Sequence, residues 1–156
     1  MKRILLGVGN RLSADDGVGP LVAERLQDAG GWHAIDAGIA LENASGIVAR
    51  ERPDQLVIVD AARMGLDPGS IRRVPIGSCD RMLATTHGLP LAFVIERLGD
   101  AAGAVELIGI EPEVLAFGSS MSQSVADAAG RLVGILRGGD ITEIPFHQGS
   151  ERPPQA

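Results

Sequence analysis

Four side chains in this chain offer chemistry by type and position: the adjacent acids Asp15 and Asp16, Asp60 after an apolar run, and His87 before a helical stripe. Two carboxylates and one imidazole make an O,O,N set suited to a divalent transition metal, with positions left open for water or substrate. Their spacing from Asp16, 44 and then 27 residues, fits no local metal motif. The set therefore works only if the fold gathers it. Each member also has a structural use. One of Asp15 and Asp16 is expected to cap the following helix, because a carboxylate there satisfies free N–H groups and the helix dipole. Two adjacent acids need only one cap, which leaves the other to point elsewhere. Asp60 is expected to be nearly buried, where a carboxylate is costly unless paired, hydrogen-bonded or metal-bound; a turn-forming Asp at a strand end is the alternative. His87 also suits the N-terminus of a helix.

Other chemistries find less support. Gly7-Val8-Gly9 after an apolar run hints at a dinucleotide turn, but Leu12 stands where a third glycine is required, and Asp36 comes too late for the ribose carboxylate. There is no GxxxxGK[ST] phosphate loop and only one lysine. Ser119, Ser120 and Ser122 lack a GxSxG context. Cys79 sits in a polar segment with Arg73 and Arg81 nearby and is expected to be a bystander.

The elements that must position these residues alternate. Arg3–Val8 is a short apolar run ending near Gly9, as in a buried strand. From Val18 the period changes: Val18, Leu21, Val22, Leu26 and Ala29 share a helical stripe closed by Gly30-Gly31, with Pro20 in the first turn. Trp32–Ala37 reads as a second strand and Leu41–Glu51 as a weaker helix. Gln55–Val59, ending at Asp60, is the most strand-like run. Ser70–Ile76 fits an edge strand because of Pro75, and Arg72-Arg73 a solvated edge. A helix follows His87-Gly88-Leu89-Pro90, then a strand at Ala104–Ile110, then the strongest helix, Ser122–Arg137. Strands alternating with helices imply an α/β fold: one three-layer domain over residues 1–144, with a twisted, mainly parallel sheet of about five strands flanked by helices. Residues 145–156, with three prolines, are expected to form a flexible tail. Ligands of such sheets bind beyond the carboxyl ends of the strands, the edge to which Asp16, Asp60 and His87 are all assigned.

Composition narrows the partners. The 156 residues carry 14 Lys and Arg against 20 Asp and Glu, a net charge of −6. That excludes a nucleic-acid backbone as main partner, since such affinity rests on clustered cations. Three Phe and one Trp, with no Tyr, give no base-stacking surface. One cysteine precludes an intramolecular disulfide. The apolar stretch Ile4–Val8 is too short for a signal peptide or a membrane span. A soluble, cytoplasmic protein without membrane insertion is expected.

Four blocks in order carry a family resemblance over roughly residues 3–137. GVGNRLSADDGVGPLVAERL, RPDQLVIVDAARMG, TTHGLPLAFVIERL and GIEPEVLAFGSSMSQSVADA resemble the hydrogenase maturation endopeptidases, nearest to the branch serving hydrogen-evolving or coenzyme-reducing hydrogenases. The resemblance implies an enzyme that removes a short C-terminal extension from the large-subunit precursor of a nickel–iron hydrogenase after nickel insertion. It implies nickel supplied by the substrate, with another divalent metal able to occupy the site in vitro, and Asp16, Asp60 and His87 as metal-contacting and catalytic residues. Many members carry Glu at the first of these positions, so Asp16 is shorter by a methylene. Asp36-Ala37-Gly38 resembles a D-x-G segment of the cleft, which Asn10 would also line. A non-catalytic nickel-sensing chaperone or small-ligand binding module on the same fold is the alternative.

Overall fold

A computed structural model of the protein describes residues 1–27, 30–83 and 90–148. Its centre is a five-stranded sheet built from β1 (Arg3–Val8), β2 (Trp32–Gly38), β3 (Gln55–Ala61), β4 (Ile71–Arg73) and β5 (Ala104–Ile110). Their spatial order is β2-β1-β3-β5-β4, parallel throughout except for the antiparallel edge strand β4. The central strands are apolar on both faces because helices cover both. Leu5, Val57, Val59, Ile108 and Ile110 point into one core layer with residues of α1 (Val18–Leu26) and α5 (Gln123–Gly138). Ile4, Leu6, Leu56, Ile58 and Leu107 point the other way, toward α2 (Ser45–Glu51), the short α3 (Cys79–Met82) and α4 (Leu91–Gly99). Alternation along each strand produces this division. The three-layer α/β architecture expected from the sequence is the one observed.

The chain leaves β1 in one direction to reach β2 and returns on the other side of β1 to form β3. Strand order thus reverses between β1 and β3, which opens a crevice at their carboxyl ends. Glycines let α1 settle close beneath it. A Cβ on Gly19 would stand 2.3 Å from the Val8 carbonyl oxygen and 2.5 Å from that of Val59. No side chain fits there, and that contact fixes the start of α1 against both strands.

Three local readings are corrected. β3 does not end before Asp60: the ladder continues through Asp60 opposite Gly109 and Ala61 opposite Ile110. The Leu41–Glu51 segment is a 3₁₀ turn over Leu41–Ala44 followed by α2, not one continuous helix. The chain also does not leave the fold after Ile144. Pro145 accepts from the Arg73 N–H at 2.9 Å, and the His147 N–H donates to the Arg73 carbonyl at 2.8 Å. Arg73 packs over the Phe146 ring at 4.0 Å and donates from Nε to the Ile144 carbonyl at 2.8 Å. Rather than lining a solvated edge, Arg73 anchors residues 144–147. Residues 149–156 of the expected tail lie outside the described residues.

Candidate active site

A tight 3₁₀ turn, Ala14–Gly17, carries both acids of the first block and packs against β3. Neither acid caps that turn or α1, which corrects the expectation of a local cap. Asp15 is fully buried and reaches across to the loop between β5 and α5. Its Oδ2 accepts from the backbone N–H groups of Glu113 and Val114, each at 2.8 Å. Its Oδ1 accepts from the Ser122 N–H at 2.7 Å, and the Ser122 hydroxyl donates to both oxygens at 2.9–3.0 Å. Ser122 is the N-cap residue of α5. The carboxylate therefore serves the positive end of a different helix, one 16 residues long. Charge-assisted hydrogen bonds of this kind offset the cost of burying the ion. The return bond, from the Asp15 N–H to the Val114 carbonyl at 3.0 Å, closes the latch.

Asp16 is thereby turned the other way. It is half-buried, and its Oδ2 accepts from the Asn10 N–H at 3.0 Å, over the end of β1. Gly9 makes this possible: a Cβ there would lie 1.8 Å from the Asp16 carbonyl oxygen. The Asn10 side chain accepts from the Leu12 N–H at 2.9 Å and shapes the bend between β1 and the turn. Asp60 stands on the neighbouring strand. Gly7 is level with Val59, so Asp60 follows at the height of Val8, the last residue of β1. It is fully buried, and its Oδ1 accepts from the Ala61 N–H at 2.8 Å. By alternation its side chain shares a face with Leu56 and Ile58, the face on which α4 packs. Each carboxylate is thus oriented by a backbone N–H at one side of the crevice.

His87, expected as the third member, lies outside the described residues. Among the described residues no three His, Cys, Asp or Glu side chains gather closely enough to hold a metal ion. Asp36 is exposed, accepts from the Gly38 N–H at 2.9 Å, and pairs with the Arg11 guanidinium at 3.0 Å. Its bond to Arg11, then that of Glu24, raises the Arg11 pKa above the ordinary arginine value, so this cation stays charged. Asp36 and Gly38 line a depression of about 520 Å³ with Asn43 and Ile47, beside the end of β2. Cys79 is fully buried, as a bystander should be.

Sequence reasoning missed the Asp15 latch, whose partners lie 98 to 107 residues away. The only hint was that two adjacent acids exceed the need for one cap.

The family model described as HycI hydrogenase maturation protease matches residues 18–138. The chain belongs to this family. It is 42% identical to hydrogenase 3 maturation protease of Escherichia coli strain K12 over 131 residues, 82% of this chain and 84% of the relative. The solution structure of the endopeptidase HycI from Escherichia coli superposes with a TM-score of 0.87, at 36% identity over 97% of this chain and 100% of that one. The crystal structure of a [NiFe] hydrogenase maturation protease HycI from Thermococcus kodakarensis superposes with a TM-score of 0.75, at 29% identity over 88% of this chain and 90% of that one. These relatives favour the protease over the binding-module reading.

Proposed function

We propose that this protein is the endopeptidase that removes the C-terminal extension of a nickel–iron hydrogenase large-subunit precursor once nickel has been inserted. The observation that supports the reading is the placement of two carboxylates, Asp16 held by the Asn10 N–H just past β1 and Asp60 on β3, on the two strands between which the order reverses, in a chain of the maturation-protease family. Carboxylate oxygens suit a divalent nickel ion, and a neutral imidazole from His87 would complete an O,O,N set that leaves the substrate's own ligands in place. In this reading Asp16, Asp60 and His87 contact nickel that arrives with the precursor. Another divalent metal could take its place in vitro. Docking then depends on a loaded substrate, and the scissile bond is set beside the crevice. The cytoplasm is the compartment proposed, from composition.

Hydrolysis adds water across an amide: hydroxyl to the carbonyl carbon, proton to the leaving amine. Asp16 or Asp60 is a base able to receive the water's proton, or a divalent metal held by these carboxylates would polarise the carbonyl and water. This makes the enzyme a carboxylate- and metal-dependent type. A covalent thioester route gains nothing from Cys79, which is sealed in the core. The test is processing of a nickel-loaded precursor by Asp16→Ala, Asp60→Ala and His87→Ala. Each is expected to lose cleavage by about 100-fold or more, since loss of a residue merely supporting a metal ligand already costs about 10- to 100-fold. Normal processing by all three contradicts the reading.

A further inference from the structure

The loops joined by Asp15 carry more than the latch. Large apolar side chains are exposed at scattered points, as on any protein. Two of them, Phe93 and Phe146, lie under the guanidiniums of Arg97 and Arg73. Three others lie on the two segments that the latch joins, after β1 and after β5. Leu12 is 63% exposed, Val114 37% and Phe117 76%. Backbone bonds hold their segments side by side: the Gly118 N–H donates to the Leu12 carbonyl at 2.8 Å, and Val114 exchanges two bonds with Asp15. Next to them the same two segments and α1 enclose a depression of about 310 Å³, whose walls include Arg11, Ala14, Leu21, Ser120 and Met121. Ala14 and Gly17, which flank the acids, also line it.

We propose that Leu12, Val114 and Phe117 form a docking ledge for an extended, apolar segment of the precursor's C-terminal region, with one of its side chains entering the adjoining depression. The inference rests on the protease reading above. Size argues for this occupant over a second copy of the chain. A Phe side chain carries about 200 Å², so three partly exposed side chains offer on the order of 300–400 Å², half or less of the about 800 Å² each partner gives to a stable folded interface. One extended segment needs no more. Continuity with the crevice argues the same way, because the Asp15 latch holds the ledge at a fixed position relative to Asp16. A ledge so placed would bind substrate in ground state and transition state alike, and so act on KM more than on kcat.

Steady-state cleavage of a nickel-loaded cognate precursor should be compared for wild type, Leu12→Ser, Phe117→Ser and Phe117→Leu, with thermal melting of each. The expected result is a KM raised about 5- to 20-fold in both Ser variants, kcat within about 2-fold, unchanged melting, and recovery in Phe117→Leu. Unchanged KM in both folded Ser variants overturns the ledge while wild-type cleavage still upholds the protease. Absence of wild-type cleavage overturns the protease reading itself. Sedimentation showing a wild-type dimer that Phe117→Ser dissociates, with KM unchanged, makes the ledge a self-association surface and also overturns the proposal.

Discussion

Ser122 donates its backbone N–H to Asp15 Oδ1 at 2.7 Å and its hydroxyl to both oxygens of the same carboxylate, joining positions 107 residues apart. The bond ties the turn bearing Asp16 to the start of α5, so the stability of the fold and the position of the acid share one interaction.

Asp15→Ala leaves the N–H groups of Glu113, Val114 and Ser122 without their acceptor. Orphaned donors in a buried setting cost about 1–3 kcal/mol each, reduced where water enters. A loss of about 3 kcal/mol in urea unfolding is expected, together with impaired processing in the variant that remains folded. Stability within 0.5 kcal/mol of wild type, on the scale of a neutral surface change, would show that the latch is dispensable.

The approach of α1 to the sheet gives a paired test on glycine. At Gly19 a methyl would strike the carbonyl oxygens of Val8 and Val59, so Gly19→Ala should destabilise by about 3 kcal/mol despite its better helix propensity. At Gly134, exposed in the middle of α5, nothing lies within 4 Å of the added methyl. Gly134→Ala should stabilise by about 1 kcal/mol. Denaturant midpoints at constant m-value read both, and a neutral Gly19→Ala would contradict the close packing.

Cys79 supplies a third. Because it is fully buried, it should react with a thiol reagent only after denaturant is added, and Cys79→Ala should cleave precursor at the wild-type rate. Rapid native labelling accompanied by loss of cleavage would reopen a thiol mechanism.

The fold was legible because its signals are local. Runs such as Leu56–Val59 are buried on both faces, and the α5 stripe of Val125, Ala128, Leu132 and Leu136 has the helical period. The edge position of β4 followed from Pro75, which ends pairing there. What was not legible depends on distant partners. Asp15 looks like a helix cap until Glu113 and Ser122 are brought to it. Asp60 looks like the end of a strand until Gly109 is seen to extend the ladder. Pro145 to His147 look like a tail until Arg73 pairs with them. Asp16 and Asp60 were assigned to the proposed site because they follow the first and third strand-like runs of a parallel α/β pattern, whose carboxyl ends share one edge. His87 rests on the family resemblance and its place before α4.

The most direct test of the account is the mass of a nickel-loaded hydrogenase large-subunit precursor after incubation with this protein, beside a nickel-free control. Loss of a C-terminal fragment from the loaded precursor and an unchanged mass for the control are expected. Equal cleavage of both would contradict nickel recognition, and an intact loaded cognate precursor would contradict the protease.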